Sequence, residues 1–291
     1  MHLKTAKSIL SPRNGMNISR GCTHGCIYCD SRSKCYRIEH DFEDVEIKSN
    51  APELLEDALK RKRKKCMIGT DAMTDPYLPI PENLSNIRSC LEIINKYNCG
   101  LAIQTKSDLI LRDLDILIKI NKKAKCIVQT TLTAYDEELC KIIEPNVCGT
   151  KRRFEMLNVM RDNNIQTIVW FSPFLPFIND TEENLRGLLD YCIEAKVYGI
   201  LCWGIGMTLR EGNREYFYSK LDKHFPCLKS VYQKKYGFNY TISSDNNDEL
   251  MKLLNEICKE NNIVLGTDAL FEYMSAFDEK NNQPNTQMEL F

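Results

Sequence analysis

The sequence predicts an α/β protein, built as a partial (β/α)6 TIM-like barrel with a C-terminal α+β cap. Six short apolar segments alternate with amphipathic segments that carry apolar residues at helical spacing, as Leu54, Leu55, Ala58 and Leu59 do. Strands that alternate with helices in this way are typical of βαβ units in a parallel sheet. Because six units are too few for an eight-fold barrel, we expect the sheet to stay open on one side.

The predicted elements follow one another along the first two thirds of the chain. The strands are GMNIS at 15–19, CMIGT at 66–70, GLAIQT at 100–105, CIVQTTLT at 126–133, QTIVWFS at 166–172 and YGILCWGI at 198–205. The helices lie near 52–64, 83–97, 113–121, 151–163 and 181–195, with N-caps at Asn83, Asp108 and either Asp180 or Thr181. In parallel α/β proteins the chemistry lies at the carboxyl ends of the strands, so the loops there are the expected site.

The pattern changes after about residue 210, which divides the chain into a predicted barrel at 1–210 and a cap at 211–277. The cap begins with a segment rich in aromatic and basic residues. It continues with the amphipathic helix DELMKLLNEICKENN and a short strand, IVLGT. Residues 278–291 are mostly polar, and we expect them to be a disordered tail.

Charge and composition restrict the possible partners. The formal net charge is −1 for 291 residues, so no overall basic field attracts nucleic acid, and a polyanion site has to be a local patch. The sequence has neither a signal peptide nor an apolar stretch of roughly 18 residues, so we expect a cytoplasmic protein that is not in a membrane. Thiols stay reduced there, so most of the fourteen cysteines are expected to be small buried apolar residues.

One stretch departs from this rule, because RGCTHGCIYCDSRSKC at 20–35 holds four cysteines. Cys22, Cys26 and Cys29 have the spacing C-x3-C-x2-C, and Cys35 follows six residues later. Three centres compete for these thiols. Zinc or a conventional iron–sulfur cluster would take Cys35 as a fourth ligand. A 4Fe–4S cluster on three thiolates would keep one open iron that chelates a substrate or cofactor. The ring of Tyr28 would pack on the bound cofactor.

The cysteine spacing, in a loop directly after the first strand of a partial barrel, resembles the signature of the radical S-adenosylmethionine (SAM) superfamily. The resemblance implies a 4Fe–4S cluster on Cys22, Cys26 and Cys29, with Cys35 as a free thiol. It also implies that the open iron binds the amino and carboxylate groups of SAM. One electron, from a donor of flavodoxin or ferredoxin type, then breaks the sulfonium bond and releases a 5′-deoxyadenosyl radical.

Four further motifs are similar to those of the spore photoproduct lyase-like group, whose members are often labelled DNA repair photolyases. They are GTDAMTDPYLPIPENL at 69–84, TKSDLILRDLDIL at 105–117, TLTAYDEELCKIIEPN at 131–146 and SPFLPFINDTEENL at 172–185. This resemblance covers roughly residues 12–240. Together the two resemblances imply cofactor contacts from Tyr28, Thr74, Asp75, Lys106, Thr131 and Ser172. Lys106 matches the lysine that pairs with the SAM carboxylate, a charge-assisted contact.

Two departures from the lyase pattern bear on the substrate. Spore photoproduct lyase returns a hydrogen atom from a cysteine, and Ala72 stands at that position here. The lyase also has tyrosine on both sides of its third cluster cysteine, whereas here Asp30 replaces the second tyrosine. We therefore expect no repair of the spore-type thymine dimer.

Two functional interpretations remain open from the sequence. The first is an enzyme that cleaves SAM and acts on an unknown substrate such as a nucleic acid; the second is a non-catalytic iron–sulfur or zinc protein that senses redox state or scaffolds partners. The basic run KRKRKK at 60–65 suits phosphate contacts or a solvated helix end. The stretch YQKKYGFNY at 232–240 suits base stacking or a packed cap.

The last five residues, QMELF at 287–291, resemble the short peptide Q-L-x-L-F that docks on the bacterial DNA sliding clamp. In such a peptide Gln287 would bond at the edge of a groove, and Leu290 and Phe291 would fill its apolar pocket. A tethered contact of this kind raises the effective concentration of an enzyme on DNA without a basic surface. The alternative is that Leu290 and Phe291 fold back onto the open side of the barrel.

Overall fold

A computed structural model of the protein describes residues 1–70 and 73–278. Its strands are β1 (His2–Lys4), β2 (Gly15–Met16), β3 (Ser19–Arg20), β4 (Glu46–Lys48), β5 (Met67–Thr70), β6 (Gly100–Gln104), β7 (Cys126–Thr131), β8 (Gln166–Trp170), β9 (Gly199–Leu201), β10 (Gly206–Thr208), β11 (Thr241–Ser243) and β12 (Val264–Leu265). Its α-helices are α1 (Ala51–Lys60), α2 (Pro81–Lys96), α3 (Leu114–Lys123), α4 (Glu137–Ile143), α5 (Thr150–Asp162), α6 (Glu182–Glu194), α7 (Asn213–His224), α8 (Leu228–Tyr236), α9 (Asn247–Glu260) and α10 (Thr267–Ser275).

The main sheet has seven strands in the order β12-β9-β8-β7-β6-β5-β2, and every neighbouring pair is parallel. The longest ladder joins β7 to β8, from Ile127 opposite Gln166 to Thr131 opposite Trp170. Six of the seven are the predicted strands, so the predicted α/β fold of partial-barrel type is confirmed. The seventh, β12, comes from the segment IVLGT and extends the sheet beyond the six strands expected.

The two faces of this sheet bury different partners. Alternate strand residues such as Ile68 and Val128 pack outward in one cluster with apolar residues of α1, α2, α3 and α5. Their sequence neighbours Met67 and Ile127 point to the opposite, concave face and pack there against Leu270 of α10. Parallel strands that are covered on both faces are apolar throughout, which explains the continuous apolar runs seen in the sequence.

Two smaller sheets frame the carboxyl ends of the main strands. One has the order β1-β4-β3, and the other is the antiparallel pair β10-β11. The cap helices α7 and α8 contribute Phe217 and Tyr232 to an apolar cluster that also holds Ile27 of the cysteine loop. The division at residues 210 and 211 stays a prediction. No helix within the described ranges is long and apolar enough to cross a bilayer.

The helix starts differ from those expected at two of the three positions. Thr181 caps α6 as predicted, because its hydroxyl accepts from the Asn184 backbone N–H at 3.2 Å. Helix α2 instead begins at Pro81, whose fixed φ suits a first turn, and Asn83 lies inside that turn, donating to the carbonyl of Pro76 at 2.8 Å. Ser107, not Asp108, caps the short 3-10 segment Asp108–Asp113.

Candidate active site

A cavity of about 520 Å³ opens at the carboxyl ends of the main strands. It brings together all nine residues that the sequence assigned to a cluster and its cofactor: Cys22, Tyr28, Cys26, Cys29, Thr74, Asp75, Lys106, Thr131 and Ser172. They come from the carboxyl ends of five neighbouring parallel strands or from the segments that follow them, so the topology gathers them at one edge. Their roles as ligands stay predictions, whereas their common location is a feature of the structure.

The cysteine loop is held in an irregular path by two glycines and one asparagine. Gly21 has φ +85°, and a Cβ there would lie 2.5 Å from the Phe42 carbonyl oxygen, so no other residue fits. Gly25 has φ +70°. Asn146, the last residue of the IEPN motif, donates its side-chain amide to the Thr23 carbonyl at 2.9 Å. The motif thus braces the loop from the strand β7 side.

The separation of the three thiols bears on the metal centres left open by the sequence. Four thiolates around one zinc ion at about 2.3 Å leave about 3.8 Å between sulfurs. Among the described His, Cys, Asp and Glu residues, His2, His40 and Glu46 are the group that places three ligand atoms within 4.8 Å of one another, so at least one pair of the three cysteine sulfurs is farther apart than that. In an iron–sulfur cluster each thiolate binds a separate iron, and a wider spacing is compatible with such a cluster.

Cys35 takes no part in this cavity. Its side chain is exposed, and its Sγ accepts from the Arg210 guanidinium at 3.4 Å. Among the residues with described positions, the cavity wall holds Cys22, Cys26 and Cys29 and no other cysteine. The donor set is therefore three thiols, as a cluster with one open iron requires.

Burial controls the protonation of these thiols. Desolvation raises the pKa of Cys26 to about 12, against the opposing charge of Lys106. Desolvation, followed by the repulsion of Cys29 and Cys26, also raises the pKa of Cys22 well above its ordinary value. Thiolates in such a place need the positive charge of a metal centre to form, so these cysteines are suited to ligation.

Asp75 joins the second and third strand loops. Its Oδ1 accepts from the Thr105 hydroxyl at 2.6 Å and from the Tyr77 backbone N–H at 2.8 Å. Its Oδ2 accepts from the Lys106 backbone N–H at 2.8 Å. The Thr74 hydroxyl donates to the Gly21 carbonyl at 2.7 Å. The TDPY motif thereby fixes both Lys106 and the start of the cysteine loop.

Behind the cavity lies a buried group of charges. Arg153 and Glu144 are fully buried and form an ion pair, and the Tyr28 hydroxyl donates to the same carboxylate. Burial opposes the ionised form, yet Arg153 and then Lys106 keep the pKa of Glu144 below its ordinary value. The Arg153 guanidinium also donates to the Thr131 carbonyl at 2.8 Å. The pair therefore anchors the walls on both sides of Tyr28.

Lys106 itself presents a cation to the cavity. Burial acts to lower its pKa, but the charges of Cys26 and Glu144 raise it above the ordinary value. Its Nζ lies 5.7 Å from the centre of the Tyr28 ring. Within residues 1–70 and 73–278 its ammonium forms no direct ion pair with a carboxylate. A partly buried cation in that state favours an anionic ligand in the cavity.

Sequence reasoning missed the residues at the outer part of the cavity. Trp170 ends β8, and its ring lies 5.2 Å from that of Trp203, which is 55% exposed. Asp30 accepts from the Tyr36 hydroxyl at 2.8 Å, and Arg210 Nε lies 3.4 Å from the same carboxylate. In the sequence, Asp30 stands out only because it replaces a tyrosine of the lyase pattern. In the structure it connects the cysteine loop to Arg210. The position of Trp170 at the end of a predicted strand was the one sequence signal that could have placed these residues at the cavity.

The fold and the site together define a class: a partial parallel barrel with three cysteines in one cavity at the carboxyl ends of its strands. The family model of the Radical SAM superfamily matches residues 16–191, which is more than half of the chain. The chain belongs to the radical SAM superfamily. The predicted superfamily is thereby confirmed, together with its enzyme class and its two cofactors, a 4Fe–4S cluster and SAM.

Sequence relatives match this chain over only part of their own length. An uncharacterized protein of Methanocaldococcus jannaschii is 32% identical over 164 residues, which are 56% of this chain and 60% of that protein. An uncharacterized protein of Mycobacterium tuberculosis is 27% identical over 232 residues, 77% of this chain and 67% of that protein. The matched part of this chain thus spans about two thirds or less of these relatives.

Solved structures of spore photoproduct lyase share the fold. One variant of that enzyme matches with a TM-score of 0.62 at 12% identity, covering 90% of this chain and 80% of that chain. The structure of the lyase complexed with dinucleoside spore photoproduct matches with a TM-score of 0.59 at 13% identity, covering 89% and 77%. At these identities the likeness concerns the fold alone.

Proposed function

We propose that this protein cleaves SAM reductively at a 4Fe–4S cluster held by Cys22, Cys26 and Cys29, and that it modifies a nucleic acid. The observation that carries the first part is the shared cavity, in which three thiols lie with Lys106, whose ammonium forms no ion pair with a carboxylate of the described residues. When bound, the reduced cluster supplies the electron that breaks the sulfonium bond of SAM and releases the 5′-deoxyadenosyl radical.

The chain's own residues bind and orient the cofactor in this proposal. Lys106 pairs with the carboxylate of SAM, and Asp75 holds Lys106 in place through its backbone N–H. Tyr28, Thr131 and Ser172 line the remaining wall. The buried pair of Glu144 and Arg153 keeps this wall rigid, because moving either residue would leave a charge unpaired.

The substrate part of the proposal is supported by the outer cavity. Trp170, Trp203 and Phe271 have ring centres 5.2 to 6.4 Å apart and form an aromatic edge. Trp203 and Phe271 are 55% and 44% exposed, so the three neighbouring rings present a contiguous apolar surface to solvent. Stacking on such rings binds bases whatever their sequence. Arg210 lies on the same cavity and adds a donor for a phosphate or a base edge.

The experiment for cofactor chemistry uses anaerobically reconstituted, reduced protein supplied with flavodoxin or ferredoxin as the electron donor. The expected result is bound iron and sulfide, a paramagnetic signal that changes on addition of SAM, and formation of 5′-deoxyadenosine. A protein that holds the cluster without forming 5′-deoxyadenosine would instead be the non-catalytic sensor or scaffold.

The substrate is tested by adding single-stranded DNA, RNA and peptide separately and measuring the rate of 5′-deoxyadenosine formation. A nucleic acid should accelerate this reaction in the wild type and not in Trp203→Ala, while the rate without substrate stays equal in both. Acceleration by peptide alone would overturn the nucleic-acid assignment. Spore photoproduct should remain unrepaired, because the side chain of Ala72, unlike a cysteine thiol, cannot donate a hydrogen atom to the product radical. Ala72 itself lies outside the described residues.

Two further proposals concern the DNA sliding clamp as a partner and the location of the protein in the cell. Residues 287–291, the clamp-like peptide, lie outside the described residues. We propose that they bind the DNA sliding clamp and that the protein works in the cytoplasm. Calorimetry against purified clamp should give micromolar binding that disappears when 287–291 are deleted, with SAM cleavage unchanged. Loss of the cluster on deletion would contradict docking and favour a structural tail.

A further inference from the structure

At the amino ends of the main strands, opposite the cavity, two cysteines lie side by side. Cys66 directly precedes β5 and Cys99 directly precedes β6. These strands pair in parallel from Met67 opposite Gly100, so Cys66 and Cys99 are the next residues in the same register. The Gly100 backbone N–H donates to the Cys66 carbonyl at 3.0 Å, which fixes this register.

The register places both side chains on one face of the sheet. Neighbouring strands are about 4.8 Å apart, which is inside the range of Cα separations, about 4.4–6.8 Å, that a disulfide spans. Both cysteines are free thiols in the structure. The backbone can therefore accept a disulfide between them without a change in strand pairing.

The basic run that follows α1 surrounds this pair. A pocket of about 150 Å³ is lined by Cys99, Leu59, Tyr97 and four consecutive cations, Lys62, Arg63, Lys64 and Lys65. Lys62 donates to the Asn14 side chain at 2.6 Å and Lys65 to the Tyr97 carbonyl at 2.5 Å. In the part of the chain that the structure describes, none of the four forms an ion pair with a carboxylate. The pocket therefore concentrates positive charge beside Cys99.

The two thiols are also electronically unequal. The interaction with the Cys66 thiol, with the charges of Lys65 and Lys62 adding to it against burial, lowers the pKa of Cys99. The same interaction, together with burial, raises the pKa of Cys66. Such an arrangement has one thiol poised to attack and a second held protonated beside it.

We propose that Cys66 and Cys99 form a thiol–disulfide exchange site for anionic low-molecular-weight disulfides, with glutathione disulfide as the representative substrate. The cations 62–65 attract the carboxylates of the disulfide, and the Cys99 thiolate attacks one of its sulfurs. This forms a mixed disulfide on Cys99, breaks the sulfur–sulfur bond and releases one glutathione thiolate, which takes up a proton.

Cys66 then completes the exchange. Its thiol loses a proton to water, and its sulfur attacks the Cys99 sulfur of the mixed disulfide. The Cys66–Cys99 disulfide forms, the mixed disulfide breaks and the second glutathione leaves. In total two electrons pass from the dithiol to the glutathione disulfide, which yields two glutathione molecules. No step uses the cavity at the opposite end of the sheet.

The test compares two disulfides of opposite charge on the reconstituted full-length chain under anaerobic conditions. Stoichiometric glutathione disulfide, which is anionic, or cystamine, which is cationic, is added, and modified peptides are quantified over time by mass spectrometry. Exposed Cys227 is the internal reference thiol. With glutathione disulfide, Cys99 should react about tenfold faster than Cys227, whereas with cystamine that preference should disappear.

Variants separate the two thiols and the charge. Cys66→Ser should trap glutathione on Cys99, and Cys99→Ser should leave Cys66 unmodified. The double variant R63Q/K64Q, at two exposed positions, should slow glutathione disulfide several-fold and leave the reaction at Cys227 unchanged. Equal rates with both reagents would overturn the anion site. Glutathione that stays on Cys99 in the wild type would overturn the exchange step.

Discussion

The two ends of the main sheet both bury a cysteine beside cations, Cys26 at 7% exposed and Cys99 at 4%, but they differ in the groups that surround the thiol. At the carboxyl end, burial raises the pKa of Cys26 to about 12, although Lys106 opposes this. At the amino end, a neighbouring thiol and solvated lysines lower the pKa of Cys99. The first environment suits thiols that are ionised only by a metal, and the second suits a thiol that reacts by itself. Similar residues are thus suited to ligation or to exchange according to the groups that surround them.

The largest expected effect sharpens this comparison by removing thiols from each end in turn. Replacing Cys22, Cys26 or Cys29 with alanine should abolish bound iron and the paramagnetic signal, because each is one of three anchors. Cys66→Ala and Cys99→Ala should retain full iron content, as should Cys35→Ala. Iron and sulfide assays on matched preparations give the measurement. An iron loss with Cys35→Ala as complete as with Cys22→Ala would require a fourth thiolate and overturn the open-iron site.

A second effect concerns the loss of stability when one partner of a buried ion pair is removed. Arg153→Met leaves Glu144 buried without its partner, so the free energy of unfolding of metal-free protein should fall by about 3–5 kcal/mol. The matched control is Arg186→Met, which breaks an exposed pair with Glu182 one helical turn away and should cost about 0.3–0.5 kcal/mol. Guanidinium denaturation measures both.

The double variant R153M/E144L tests the cause of that loss. Removing both charges should recover most of the stability, because no buried charge remains unpaired. A double variant as unstable as Arg153→Met would mean that the contacts of Arg153 with the carbonyls of Thr131 and Cys148 matter more than the ion pair.

A third, smaller effect tests the cation in the cavity. Lys106→Ala should weaken SAM binding by about 1.5–3 kcal/mol, roughly 10- to 100-fold, through loss of a charge-assisted bond. Iron content should not change, and Lys252→Ala at an exposed helical position should bind SAM as the wild type does. Equilibrium binding to the reconstituted protein is the measurement. Unchanged affinity in Lys106→Ala would show that the SAM carboxylate is bound elsewhere.

Local patterns predicted the parts of the structure that depend on neighbouring residues. The alternation of apolar and amphipathic segments gave six strands of the main sheet, and motif residues such as Cys26 and Lys106 fall on its carboxyl edge. Asn83 shows the limit of this approach, since it resembles an N-cap, but Pro81 starts the helix two residues earlier.

Features that depend on long-range register could not be read from the sequence. Trp203 and Arg210 reach the cavity only because β9 and β10 lie beside it. Sequence patterns predicted neither of them as a site residue. Cys66 and Cys99 are distant along the chain, and their contact follows from the pairing of β5 with β6. The basic run has the sequence pattern of a solvated helix end, whereas the structure places it in one pocket with Cys99.

The smallest expected effect tests how far solvation weakens a well-formed ion pair near the surface. Asp115 accepts from Arg88 through both oxygens, at 2.5 and 3.0 Å, and this hydrogen-bonded pairing lowers the pKa of Asp115 to about 2. A depressed pKa in the folded state stabilises the protein above the unfolded pKa, near 3.8, and this stabilisation is lost as the pH falls toward 2. Since the Asp115 side chain is 50% exposed, Asp115→Asn should lower the free energy of unfolding by less than about 1 kcal/mol at pH 7. The difference from wild type should vanish at acidic pH in urea titrations. A loss as large as that of Arg153→Met would contradict the dependence on burial.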